Sequence, residues 1–141
     1  MIWSLLSSAV PDISSRDSGD PLPVCPDTPN CVCSEDGTPE DRRIDPFPIH
    51  GDRPAAWGAL KAAIADLGGD LQSDDGAVLH AVFKTPVLRF PDDLFARLDG
   101  EAGVLHVRSS SRVGRSDLGA NGRRMEKLRT AYLKQAGAND D

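Results

Sequence analysis

The sequence predicts a single α+β domain, in which an antiparallel, meandering sheet of three to four strands is flanked by an N-side helix and a C-terminal helix. Three observations support this prediction. The chain has 141 residues, which is enough for one modest domain. Two segments carry apolar side chains at helical spacing, one on each side of the predicted sheet. Between them lie strand-like segments that are separated by short turns containing glycine.

The first helix is predicted over residues 54–67. Trp57, Leu60, Ile64 and Leu67 lie on one face at helical spacing, and alanines fill most of the other positions. A proline in the first turn and two glycines directly after the last residue are typical of a helix start and stop.

The predicted strands cover residues 77–84, 94–98 and 104–108, and residues 70–73 offer a fourth through a hairpin. Pro91 restricts the extended run before it to an edge or a bend, because proline cannot donate to a ladder. The last helix is predicted over residues 122–135. Asn121 is its expected N-cap and Gly137 its expected end.

The first third of the chain is predicted to be a long, proline-rich arm. Nine of the eleven prolines lie in residues 1–54 and leave no room for a regular element of useful length. We therefore expect residues 1–23 to be a mobile tail and residues 24–136 to be one domain. Within that domain residues 24–53 form the arm packed on the body, and residues 137–141 are expected to be a disordered tail.

No membrane span is predicted in this chain. The apolar stretch over residues 1–10 is about half of the roughly 20 residues that a spanning helix needs. Two interpretations of that stretch stay open: a floppy terminus, or the end of an export signal that starts upstream.

Charge is divided unevenly along the chain, whose net charge is −6. Residues 1–50 hold three basic and nine acidic side chains, whereas residues 106–129 hold seven basic and two acidic ones. A pI near 4.9 argues against nucleic acid as a partner. The local excess of positive charge is compatible with a small anionic ligand or an acidic partner.

The segment from Arg108 to Arg124 is dense in serine, arginine and glycine, and it enters the N-terminus of the last helix. Backbone N–H groups and the helix dipole favour an anion at such an N-terminus. Arginine binds carboxylate or phosphate through two parallel hydrogen bonds. The first hypothesis is therefore a non-enzymatic binding or accessory protein that holds an anionic group. Its predicted ligand-binding residues are Arg108, Ser109, Ser111, Arg112, Ser116, Asp117, Asn121 and Arg124.

Other interpretations of this segment stay open. The arginines brace the loop through Asp92, Asp93 or Asp117, or they hold the protein's own acidic arm, or they contact nucleic acid. The segment lacks the Walker phosphate-loop motif and the GxGxxG dinucleotide motif, and no cofactor is predicted.

The alternative function is a small enzyme that acts on an anionic substrate with a histidine general base. Its candidate catalytic residues are His80, His106 and Asp93. His106 and Arg108 are two apart in a predicted strand and so face the same side of the sheet. Asp92 and Asp93 are adjacent and face opposite sides, so we expect no shared acid–base pair. One of them is predicted to bind an arginine of the loop instead.

Cys25 and Cys31 enclose a short loop that a disulfide would stabilise by about 2.4 kcal/mol. Such a bond suits an oxidising compartment, but Cys33 leaves an odd thiol. Three alternatives stay open: a Cys25–Cys31 disulfide, free thiols, and metal or redox chemistry. The spacing is not a usual zinc pattern, and no metal site is predicted.

Two separated motifs resemble one known family. Residues 25–34, CPDTPNCVCS, resemble the CPxSPNCVSS opening of the uncharacterised family called domain of unknown function 1499. Residues 108–126, RSSSRVGRSDLGANGRRME, are similar to that family's RSASRVGYSDLGVNRKRVE block, and the likeness covers roughly residues 24–133.

The resemblance implies a bacterial or plastid-associated protein that often carries an N-terminal membrane or export segment. Together with the Cys25/Cys31 pair it favours an exported or envelope-associated location, with the cytoplasm as the alternative. The activity of the family is not established. Two departures matter: Cys33 stands where the family has serine, and Arg115 stands where it has an aromatic residue, which makes this loop more basic.

Overall fold

The computed structural model describes residues 19–25, 30–85, 89–112 and 119–138, which form two helices and a six-stranded antiparallel sheet. The strand order is β1-β6-β5-β4-β3, and β2 also pairs with β6. The predicted α+β class with an N-side and a C-terminal helix is confirmed. The elements are β1 Cys31–Cys33, β2 Phe47–Pro48, α1 Arg53–Asp66, β3 Asp70–Asp74, β4 Val78–Lys84, β5 Pro91–Asp99, β6 Val104–Ser111 and α2 Ala120–Ala138, with a 3-10 turn at Glu40–Arg42.

Helix α1 begins with a side-chain cap. The Ala55 amide donates to Asp52 Oδ1 at 2.6 Å, which satisfies one of the unpaired N–H groups of the first turn. Trp57, Leu60 and Ile64 are buried as the apolar stripe predicts. Leu67 is exposed instead, because the helix ends at Asp66 and the chain turns away there.

Helix α2 extends further than predicted at both ends. It begins at Ala120, so Asn121 lies inside the first turn and is not the N-cap. Gly137 does not end the helix, which continues to Ala138. Met125, Leu128 and Tyr132 are fully buried against the sheet and α1, as the helical spacing predicts.

The apolar core lies between the sheet and both helices. Side chains alternate along each strand, so one face of β4, β5 and β6 presents mostly apolar groups to the helices, with Asp92, Ser109 and Ser111 toward its end. The opposite face carries no helix in the described part of the chain and is mostly polar. The sheet residues of the core are Leu79, Ala81, Phe83, Leu94, Ala96, Leu105 and Val107.

The sheet has six strands rather than three to four because the arm contributes two short ones. Both pair with the edge of β6 that β5 leaves open, with Cys31 opposite Ser110 and Phe47 opposite Leu105. Phe47 is fully buried and stacks on Tyr132 with 5.5 Å between ring centroids. The sequence leaves no room in the arm for a regular element of useful length, and the two strands that form there have only three and two residues, with Pro48 itself part of β2.

Residues 19–25, which we call the strap, lie on the face of the sheet without helices. Leu22 is buried against Val78 and Phe95, although the sequence assigns it to the mobile tail. Residues 1–18 of that tail and residues 139–141 lie outside the described residues. Within the described ranges, neither helix combines the length and the apolar composition that a membrane-crossing helix needs.

Candidate functional site

The face of the sheet without helices carries a group of mostly polar side chains, which we call the polar face. Its residues follow the two-residue period of the strands, and the strand register brings them side by side. The polar face comprises His80 on β4, Asp93, Phe95, Arg97 and Asp99 on β5, and His106, Arg108 and Ser110 on β6, with Arg112 directly after β6.

Asp93 is the centre of one half of the polar face. Arg112 forks onto its carboxylate, with Nε–Oδ2 and Nη2–Oδ1 distances of 2.8 and 2.9 Å. His80 Nε2 lies 2.7 Å from Oδ1, and the imidazole stacks on Phe95 with 4.4 Å between ring centroids. Burial alone would raise the pKa of the Asp93 carboxyl, but the hydrogen bonds and charges of Arg112 and His80 lower it.

Arg108 lies next to this cluster and is only 5% exposed. Its Nε donates to the Pro23 carbonyl of the strap at 2.8 Å, and its Nη1 donates to Ser110 Oγ at 3.0 Å. No carboxylate forms an ion pair with it among the described residues, and burial lowers the pKa of its guanidinium. The nearly buried Arg108 guanidinium thus lies near Asp93, whose carboxylate already forms an ion pair with Arg112.

The other half of the polar face is closed by a buried ion pair. Arg97 binds Glu35 through Nε and Nη2, both at 2.8 Å, and the Leu22 amide of the strap donates to the same carboxylate at 2.8 Å. Burial raises the pKa of Glu35, but the bonds from Arg97 and Leu22 and the nearby charges lower it overall. His106 lies beside this pair, 2.9 Å from Ser34 Oγ and 3.6 Å from Asp99.

Several predicted ligand-binding residues lie on the helix side of the sheet instead. Ser109 Oγ donates to Asn121 Oδ1 at 2.5 Å, and Asn121 Nδ2 donates to Ser111 Oγ at 3.0 Å and to the Asn30 carbonyl at 3.2 Å. All four residues are buried, so this network ties β6, α2 and the arm together.

Arg124 on α2 binds Asp92 and lies over the Phe83 ring at 5.1 Å. Asp92 and Asp93 therefore face opposite sides of the sheet, and an arginine binds each of them, as the alternation predicts. His80 and His106 belong to separate clusters. The predicted ligands Ser116 and Asp117 lie outside the described residues.

Cys25 and Cys31 form a disulfide with a Cα–Cα distance of 5.7 Å, which confirms one of the three predicted alternatives. Cys33 is a free, buried thiol. Among the described residues, no group of three or more His, Cys, Asp or Glu side chains has the arrangement of a metal site.

Sequence reasoning missed Glu35, Phe95, Arg97 and Ser110. A usable signal was present for β5, since Asp93, Phe95, Arg97 and Asp99 alternate with apolar residues and must share one face. Glu35 gave no such signal, because its partner Arg97 is 62 residues away in sequence.

A cavity of about 470 Å³ lies elsewhere, next to the 3-10 turn. Its lining residues include no histidine, and the charged ones carry both signs. Those residues are Thr38, Glu40, Arg43, Ile44, Asp45 and Pro46.

The comparison with known proteins agrees with the motifs in the sequence. No curated protein matches the chain. The sequence model of one family, described as "Protein of unknown function (DUF1499)", matches residues 21–132 and so covers most of the strap, α1, the sheet and most of α2. On this evidence the chain belongs to the DUF1499 family.

Proposed function

We propose that the protein binds a small anionic group on the polar face, between Arg108 and Arg112. The observation that carries this proposal is a charge imbalance. Two guanidinium groups and the His80 imidazole surround one carboxylate, Asp93, so this half of the face keeps at least one uncompensated positive charge. An anion would supply the missing charge.

The arrangement of donors supports a fixed binding site. Arg108, Ser110 and Arg112 alternate along one strand direction and so present their side chains to the same side. Asp93 holds the Arg112 fork in place, and about a third of that side chain is exposed. Because Asp93 already orients the guanidinium, little rotamer entropy is lost when a ligand binds.

On the helix side of the sheet, the polar side chains support a structural role, in which they hold the protein's own elements together. Arg124 is bound to Asp92, and Ser109, Ser111 and Asn121 satisfy one another in a closed network. We therefore leave these four out of the proposed site and assign them to holding α2 against β6. Arg108 and Arg112 are the predicted ligand-binding residues that remain in the proposal.

The test is isothermal titration of the full chain with inorganic phosphate and a panel of phosphorylated and carboxylated metabolites, after a screen by thermal unfolding. A ligand at a hundredfold excess over its Kd should stabilise the fold by about 2.7 kcal/mol. Arg112→Ala should weaken binding at least tenfold, because charge-assisted hydrogen bonds contribute about 1.5–3 kcal/mol. Arg53→Ala is the matched control, since it removes an exposed guanidinium outside the polar face.

Two results would contradict the proposal. One is a folded wild type that binds none of the panel. The other is an Arg112→Ala variant that binds with unchanged affinity but unfolds at a lower temperature, which would make Arg112 a brace for Asp93 only.

A second candidate function is supported by the His80–Asp93 contact. If the neutral imidazole donates from Nε2 to Asp93, its Nδ1 is an acceptor, and a carboxylate-oriented histidine is a suitable general base. We propose proton abstraction from the bound anion as the reaction class. His106 is the weaker candidate because Ser34 occupies its Nδ1.

Each anion that binds can be incubated with the protein in D₂O and followed by NMR for loss of a carbon-bound proton. The His80→Gln variant should keep its affinity and lose the exchange. Absence of exchange and of product for every bound anion would exclude this second function and leave the binding function intact.

A further inference from the structure

The third cysteine lies directly beside the disulfide. Cys33 is fully buried, and it forms one cluster with Cys25 and Cys31, both of which are also buried. Cys31 and Cys33 are two residues apart in β1, so their side chains point to the same side of the strand. A free thiol and a disulfide therefore lie together in one buried cluster at the end of the strap.

The surroundings of Cys33 act on its thiol in opposite directions, and burial, which disfavours the thiolate, has the larger effect. The Glu35 amide donates to Cys33 Sγ at 3.5 Å, and Arg108 is its partner across the strand pair. The thiol lies 3.9 Å from the Pro23 carbonyl, which also accepts from Arg108 Nε. Burial raises the pKa of the Cys33 thiol, whereas the Glu35 amide and the Arg108 charge oppose that rise.

We propose that Cys33 is a thiol–disulfide exchange site for the Cys25–Cys31 bond. The Cys33 thiolate attacks Sγ of Cys25, the Cys25–Cys31 bond breaks, and a Cys25–Cys33 bond forms. Cys31 leaves as a thiolate and takes up the proton that Cys33 lost. One disulfide is present before and after the step, so no oxidant or reductant is consumed.

Strand geometry selects Cys25 as the sulfur that is attacked. A Cys31–Cys33 bond would join residues two apart in an extended strand, whose Cα atoms lie about 6.6 Å apart. That is close to the upper limit of about 6.8 Å for a disulfide, and β1 is held straight by its pairing with β6. A Cys25–Cys33 bond does not join two residues of β1, and it moves the attachment of the strap by two residues along that strand.

The exchange alters the hydrogen bonding of Arg108 because the strap supplies the Pro23 carbonyl. The exchange does not require the anion site and proceeds whether or not an anion binds there.

The experiment uses the oxidised full chain, purified without reductant and incubated folded at pH 8. Samples taken over several hours are quenched in acid, unfolded, and alkylated with N-ethylmaleimide at mildly acidic pH. Fragmentation of the tryptic peptide that contains all three cysteines then locates the label. We expect the label to begin on Cys33 and to appear increasingly on Cys31. The Cys33→Ser variant should take up no label.

Arg108→Gln should slow the exchange, because it removes a charge that lowers the pKa of the Cys33 thiol and so favours the thiolate. Arg53→Gln is the matched control and should leave the rate unchanged. Label that stays on Cys33 in the folded chain, while urea-unfolded chain scrambles to all three cysteines, would overturn the proposal. Label that moves to Cys25 would overturn the choice of the attacked sulfur.

Discussion

The Glu35–Arg97 ion pair gives the sharpest test of how the strap is held on the sheet. Both side chains are less than a tenth exposed, and two parallel hydrogen bonds of 2.8 Å join them. Removing one partner of such a buried pair costs about 3–5 kcal/mol, because the other charge stays buried without compensation. Arg97 keeps Asp99 at 3.6 Å, so we expect Glu35→Ala to cost about 3 kcal/mol.

The measurement is urea unfolding at pH 7, followed by tryptophan fluorescence, to which the core residue Trp57 contributes. In thermal unfolding, the same cost of about 3 kcal/mol should lower Tm by about 12 °C for a domain of this size. The double variant Glu35→Met, Arg97→Met should recover most of the loss, because apolar replacement of a buried pair is often neutral.

Two results would refute this reasoning. A single variant that loses less than about 1 kcal/mol would mean that water already screens the pair. A double variant as unstable as the single one would mean that packing around Glu35, rather than the unpaired Arg97 charge, determines the loss.

Three further predictions concern pH and the buried hydrogen bonds. Burial raises the pKa of Glu35, but its hydrogen bonds and the nearby charges lower it below the ordinary value of 4.5. The ionised Glu35 therefore stabilises the fold fully above pH 4.5, and this stabilisation is lost as the pH falls further. Urea unfolding across acid pH should therefore show a shallower loss for Glu35→Gln than for wild type. Asn121→Ala should cost about 1–3 kcal/mol in the same assay, because it leaves buried serine hydroxyls unpaired. Tyr132→Phe should cost about 1 kcal/mol, since it removes the 2.6 Å bond to the Pro48 carbonyl, and thermal unfolding checks this value.

The helices and the meander could be predicted because their signals are local. Trp57, Leu60 and Ile64 repeat at helical spacing, and the structure buries all three on one face of α1. The alternation of side chains also placed Asp92 and Asp93 on opposite faces before their partners were known.

The arm strands could not be predicted because their signals are not local. Strand β1 has three residues and β2 has two, too few for any periodicity. Each is a strand only because β6 offers its edge, and that edge lies far downstream in the sequence. The Glu35–Arg97 pair could not be predicted for the same reason, because its members are 62 residues apart in sequence. Asn121 was predicted as a helix cap from a local rule, but its side chain instead joins a tertiary hydrogen-bond network.

The pairing of the arm with β6 has a consequence for the order of folding. The Asn30 side chain donates to the Ser111 carbonyl across 81 residues of sequence, whereas the hairpins of β4, β5 and β6 close over short turns. Contacts between distant residues form late, so β6 keeps an open edge until the arm arrives. An open edge is a template for pairing with another chain. The arm, which leaves the ribosome before β6, is thus among the last segments to find its place, and refolding yield should fall as protein concentration rises.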